Sequence, residues 1–193
     1  MKKRIFLIVI CVLVVLLLGY LMLRSAAERT LGAEVRRAAG AYTTGVLNPD
    51  GTTAQSLSDA LYLRLNASDR LQTLAAKYDD VYDEYSALRN AYNEMLAEVK
   101  SGSDFAAIRA ANRNLELAFD GCREALLPLV SGKSAETLAA CADDFDAAQN
   151  AVDAAVEAYN AFIRSFREGT LKKFPNSLLK LFLKTPEPKL WLS

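Results

Sequence analysis

Three kinds of side chain in this sequence could carry chemistry: thiols, clustered carboxylates and a tyrosine–amide pair. Cys122 and Cys141 flank the turn signal Ser131-Gly132-Lys133-Ser134 at nearly equal distances. If both flanking segments are helices, an antiparallel return brings the thiols to one level, which makes them a disulfide candidate in an oxidising compartment. The competing reading is two small buried hydrophobes. Cys11 follows Ile10 rather than a small residue, so it does not read as a lipid-attachment site. Asp79-Asp80-Asp83-Glu84 and Asp143-Asp144-Asp146 could attract a divalent cation, but neither has the central glycine and terminal glutamate of a calcium loop. They read as solvated faces. Tyr159-Asn160 lies on helical spacing that turns Tyr159 inward, so its hydroxyl and the Asn160 amide are expected to tie that helix to a neighbour, with a ligand role as the alternative. Asn112 interrupts an apolar seam and reads as a buried amide that fixes register.

The chain contains no histidine. Ser-His-Asp and Cys-His relays, HExxH zinc sites and Glu-x-x-His di-metal bundles all need an imidazole. No catalytic residue, cofactor or metal ligand is therefore assigned, and the chain is expected not to be an enzyme.

Charge is zero in sum but unevenly placed. Residues 1–49 hold seven Lys/Arg and two Glu, residues 50–166 ten Lys/Arg and nineteen Asp/Glu, and residues 167–193 six Lys/Arg and two Glu. A nucleic-acid binder carries its positive charge on the folded domain. Here the two ends are basic and the middle is acidic, which suits an anionic membrane surface and no nucleic acid. Met1-Lys2-Lys3-Arg4 precedes nineteen uncharged residues, Ile5 to Leu23. At ~1.5 Å per residue they match the ~30 Å hydrocarbon core. Ser25-Ala26-Ala27 offers a cleavage site, but the apolar run exceeds the ~7–15 residues of a secretory signal, which favours a retained signal-anchor. The chain reads as a bacterial single-pass cell-membrane protein. The dense Lys2-Lys3-Arg4 cluster places the amino terminus inside and the bulk outside, against Arg24, Arg29, Arg36 and Arg37 on the other flank.

The segment from Arg24 to about Val46 reads as a helix leaving the membrane. Leu47-Asn48-Pro49-Asp50-Gly51 is a turn, Thr52 or Thr53 caps the next helix, and Asn66-Ala67-Ser68-Asp69 is a place for it to bend. Asn66-Ala67-Ser68 also fits a glycosylation sequon, which a bacterial chain does not use. Coiled-coil-like seams of alternating three- and four-residue steps follow. They run from Leu71 to Val99 through Leu74, Tyr78, Val81, Tyr85, Leu88, Tyr92 and Met95, then from Phe105 to Leu129, and last from Leu138 through Tyr159 and Phe162 to Phe166. Ser101-Gly102-Ser103-Asp104 separates the first two, and Pro128 ends the second. Short turns force antiparallel packing. The expected fold is all-α: an anchor at 1–24, an antiparallel four-helix up-and-down bundle at 25–166, and a basic amphipathic tail at 167–193. The parity of the helices brings the tail back to the membrane. Leu178, Leu179, Phe182, Leu183 and Trp191 beside Lys172, Lys173, Lys180 and Lys184 then form either an interfacial segment or a lid on the bundle.

Tyr159-Asn160, Ile163-Arg164, Phe166, Phe174-Pro175-Asn176 and Pro186-Glu187-Pro188 resemble the closing motif of the LemA family. Val156 matches the apolar residue before the Tyr-Asn pair, and the layout of basic start, single span and helical bundle is similar. The departures are seven inserted residues, Arg167 to Lys173, and Val152-Asp153 in place of an earlier Tyr-Asn pair. Leu61-Tyr62-Leu63-Arg64-Leu65-Asn66 is a remnant of the family's post-anchor stretch. The match covers about 35 residues. It singles out Tyr159, Asn160, Arg164, Phe174, Pro175 and Asn176 as motif positions. The resemblance implies a membrane-anchored helical bundle without a known active site. The expected partners are the lipid bilayer and an unidentified membrane or membrane-proximal protein, bound by a scaffold with no chemistry of its own. The rival is a receptor or enzyme that uses carboxylates and tyrosines inside the bundle. A polar cavity around Tyr78, Tyr85, Tyr92 and Tyr159 would favour that rival.

Overall fold

The computed structural model describes residues 2–47, 51–102 and 104–191. The centre of the Leu47–Gly51 turn signal and Ser103 of the later one lie outside the described residues. Among those described, regular structure is helical, with one isolated bridge between Leu47 and Thr53. The helices are α1 (Lys2–Thr30), α2 (Gly32–Thr44), α3 (Leu57–Ala75), α4 (Tyr82–Ser101), α5 (Phe105–Leu126), α6 (Lys133–Phe166) and a single turn, α7 (Asn176–Leu179). The chain divides into two compact units, one of residues 1–40 and 161–190, the other of 41–160 and 191–193. The sequence boundaries at 24/25 and 166/167 fall elsewhere.

In the second unit the seams do bury, but over a different set of helices. The run expected as one helix from Leu71 to Val99 breaks into α3 and α4. Lys77 N–H reaches back to Leu74 and Tyr78 N–H to Ala75, a tight turn that stops α3. Asp79 and Asp80 then open a 3₁₀ turn and Asp83 and Glu84 the first turn of α4. Carboxylates favour a helix N-terminus, so this acidic cluster suits a helix start. The heptad steps continue across the turn, which is why the sequence hides it. Conversely, Asn66–Asp69 does not bend α3: Ala67 and Ser68 are buried mid-helix, and the Ser68 hydroxyl donates to the Leu65 carbonyl. The cap of α3 is not Thr52 or Thr53 but Ser56, whose Oγ accepts the Asp59 N–H at 3.0 Å.

α3, α4 and α5 pack on one another. Gly102, left-handed at φ 59°, closes α4. Asp104 caps α5 through the Ala106 N–H. α5 ends at Leu126, two residues before Pro128, whose ring nitrogen has no hydrogen to give. α6 joins through Phe145, stacked on Phe119 with centroids 3.8 Å apart, and through Asp144, paired with Arg70 of α3. Leu61, Leu65, Leu71, Leu88, Met95, Ile108, Leu115, Leu126, Leu138 and Val152 fill the centre. At the end of the last seam the buried residue is Ile163, and Phe162 is only half-buried. A four-residue step after Tyr159 replaces the expected three.

In the first unit α1 is long and apolar enough to cross a membrane over Val9–Thr30. Phe6, Val9, Ile10, Val12 through Leu18 and Tyr20 through Leu23 are exposed. α1 continues almost directly into α2, as Leu31 N–H still bonds to Ala27 and Val35 N–H to Leu31. The tail folds back along it. Leu171 packs with Leu31 and Val35, and Phe166 and Leu183 cover that cluster.

Candidate functional site

The motif residues act through their amides. Asn160, on α6, donates from Nδ2 to the Trp191 carbonyl at 2.7 Å and accepts the Trp191 N–H on Oδ1 at 2.8 Å. This pair of hydrogen bonds satisfies the N–H and carbonyl of one residue as a neighbouring strand would, and it fixes Trp191 onto α6. The expected tie was to a neighbouring helix; the observed partner is the returning tail. The Trp191 ring is 6% exposed and lies on Phe105, centroids 5.2 Å apart. Phe105 meets the buried Tyr159 ring edge-on at 5.7 Å and the Tyr42 ring at 5.6 Å. Tyr42 donates its hydroxyl to the Val99 carbonyl. Burial pushes the Tyr42 phenol up to about 12, with a Ser58 hydrogen bond pulling the other way. Arg109 stands over the Trp191 ring at 5.9 Å. The ends of α2, α4 and α6 and the start of α5 thus meet in one aromatic cluster.

The second half of the motif organises the tail. Asn176 donates from Nδ2 to the Thr170 carbonyl, which holds the wide π-turn Arg167–Leu171. That turn takes up most of the stretch between Phe166 and Phe174. Arg167 donates from Nη2 to the Pro188 carbonyl at 2.7 Å and closes the base of the returning loop. Phe174 is 80% exposed, and Pro175 and Arg164 are exposed as well.

No protein-family model matches the sequence, and no curated protein or solved structure matches it.

Cys122 and Cys141 are free thiols, both fully buried. Burial raises the Cys122 thiol to about 11, with Glu84 adding to the rise, and burial raises Cys141 too. They sit one turn beyond the Phe119–Phe145 stack, on α5 and α6 respectively. Among the described residues no three His, Cys, Asp or Glu side chains gather as metal ligands. Asp144 is instead engaged by Arg70.

Sequence reasoning passed over Arg64. It is 1% exposed, and its guanidinium lies 4.1 Å above the Phe145 ring. Its nearest carboxylate, Glu116, is 4.0 Å away and half exposed. Nε and Nη1 have no hydrogen-bond partner, nor do Asn112 Oδ1 and Gln149 Oε1. Burial lowers the Arg64 pKa, and Glu116, Asp153, Asp120 and Asp146 oppose the fall. A signal existed: stepping back from Leu71 by threes and fours lands on Ser68, Arg64, Leu61 and Leu57. A groove of about 370 Å³ along α5 and α6 is lined by Leu127, Val130, Leu138 and Ala142, with Arg123 and Asp143 beside them.

Proposed function

We propose that the chain is a single-pass membrane protein whose α3–α6 segment is an up-and-down four-helix bundle. The bundle serves as an interaction module for a membrane or membrane-proximal partner and has no chemistry of its own. The observation that carries this reading is the filled interior of the second unit. Aliphatic and aromatic side chains occupy the centre of α3–α6, and Tyr159 is packed edge-on against Phe105. Tyr85 and Tyr92 stand half-buried on α4, and Tyr78 is half-buried just before the 3₁₀ turn that leads into it. What the unit offers outward is the α5–α6 groove, exposed Leu117 and Leu127, and acidic faces. Such surfaces suit recognition better than catalysis.

The retained anchor has support of its own. Ala27 is fully buried and Glu28 Oε1 accepts the Lys184 N–H at 2.8 Å. The tail packs on both sides of the Ala27–Glu28 bond, where a signal peptide would be cut, through Phe182 on Tyr20 and through Lys184 on Glu28. Lys2, Lys3 and Arg4 keep the amino terminus cytoplasmic and the bundle outside. The LemA resemblance fits the same reading, since Asn160 of its Tyr-Asn step and Asn176 of its Phe-Pro-Asn step are residues that secure the tail. Crosslinking in native membranes followed by mass spectrometry tests the proposal. A reproducible partner joined to the α5–α6 face is the expected result; a chain that captures nothing reproducible would remove its support.

A further inference from the structure

The tail does more than return to α1; it descends along it. Leu171 packs at Leu31 and Val35, while Phe182 meets Tyr20 edge-on at 5.9 Å. From Leu31 to Tyr20 is about 16 Å at ~1.5 Å per residue. The chain then climbs to Lys184, whose N–H bonds to Glu28. α7 and the 3₁₀ turn Lys180–Phe182 both pack on α1. The tip of this loop therefore lies beside the uncharged stretch that ends at Leu23.

Its side chains divide by direction. Phe182 and Leu183 face α1 and its cluster. Phe174, Leu178 and Leu181 face outward, 80%, 56% and 73% exposed. Three large apolar residues projecting within an eight-residue span are costly in water and favourable in a bilayer interface. Lys172, Lys173 and Lys184 are exposed around them. Lysine stems cover apolar surface while their ammonium groups reach headgroups. The tail carries six Lys/Arg against two Glu, so the surface it complements is anionic.

We propose that residues 172–184 are a lipid-binding wedge. Phe174, Leu178 and Leu181 enter the acyl boundary of the same bilayer that α1 crosses, and Lys172, Lys173 and Lys184 hold phosphate headgroups of anionic lipids. The wedge braces α1 where it leaves the membrane. This inference rests on the reading of α1 as a retained span, and the test separates the two. The full chain is reconstituted into vesicles containing phosphatidylcholine and phosphatidylglycerol, with bromine on the acyl chains of one or the other. Tryptophan emission is read for Leu181→Trp and for Met22→Trp on α1, with the wild-type chain supplying the Trp191 baseline. The expected result is quenching at both positions, stronger at 181 with brominated phosphatidylglycerol. That preference is lost in a Lys172→Gln/Lys173→Gln/Lys184→Gln chain. Quenching at 22 but not at 181 overturns the wedge and leaves the anchor standing. Quenching at neither overturns the anchor and the wedge with it. Equal quenching by the two lipids at 181 overturns the headgroup assignment.

Discussion

α1 and α5 are built from the same kinds of apolar residue, yet those residues meet opposite fates. On α5 the apolar positions recur at steps of three and four, and Ile108, Leu115, Phe119, Cys122 and Leu126 are all at most 1% exposed. On α1 they run without interruption, and Val12 through Leu18 are 48% to 66% exposed. Period, not amount, decides which apolar surface a protein can cover by itself. A stripe needs one partner face, and α3, α4 and α6 supply it. A helix apolar all round needs a solvent that is apolar all round, and a single tail covers only part of it.

The strongest way to break this comparison is to truncate one large apolar side chain in each region. Phe119→Ala removes a side chain stacked on Phe145 in the interior and is expected to cost about 3–5 kcal/mol. Leu16→Ala, on exposed α1, is expected to leave the denaturant transition of the folded helices within about 0.5 kcal/mol of wild type. Circular dichroism in detergent reads both, and equal losses would mean that the exposed α1 surface contributes to the fold. Arg64 sharpens the point from the other side, because it is a charge held on a stripe. Its closest carboxylate is distant and solvated, so desolvation outweighs attraction. Arg64→Met is expected to raise stability by about 1–4 kcal/mol. A lower transition midpoint for that variant would mean that the contacts with Phe145 and Glu116 outweigh the cost of burial.

The comparison also separates what the sequence discloses from what it conceals. The helical class, the seams, Asp104 as a cap, the stop before Pro128 and the long apolar helix were legible, because each rests on local spacing or backbone chemistry. The α3–α4 turn was not, since Leu74, Tyr78 and Val81 keep the heptad step through a bend. Charge order could have exposed it: Lys77 followed by Asp79, Asp80, Asp83 and Glu84 is the order of a helix end and a helix start. Tyr159 was placed inward correctly. The partner of Asn160 was beyond reach, as Trp191 lies thirty-one residues away and nothing local encodes that pairing. The tail was offered two roles, lid or interfacial segment. The side chains divide between inward and outward positions: Leu183 and Trp191 pack inward, while Leu178 faces out.

Asn160→Ala tests the long-range tie. Losing both bonds to Trp191 is expected to cost about 1–2 kcal/mol. It should also shift Trp191 emission to the red without loss of helix, since the ring is freed from Phe105. Unchanged emission would mean that ring packing alone holds the chain end. A smaller effect belongs to the surface pair Arg70–Asp144, where both side chains are about half exposed. A double-mutant cycle to alanine is expected to give a coupling of about 0.2–1 kcal/mol that fades with added salt. A salt-insensitive coupling would point to packing rather than charge.

The smallest effect at ordinary pH is the one carried by buried protons. Burial disfavours the thiolate of Cys122 and the tyrosinate of Tyr42, moving them from 9.0 to about 11 and from 10.0 to about 12. Between those limits the folded chain keeps protons that the unfolded chain releases. Stability therefore falls as pH rises, first through Cys122 above about pH 9 and then through Tyr42 above about pH 10. Below pH 9 neither group makes stability depend on pH. Cys122→Ala should reduce the first part of the alkaline loss, which the buried Cys141 thiol shares, and Tyr42→Phe should reduce the second, each followed by denaturant midpoints across the alkaline range. If both variants lost stability along the wild-type curve, the protons that matter would sit elsewhere, and the interior would be less closed to water than its packing implies.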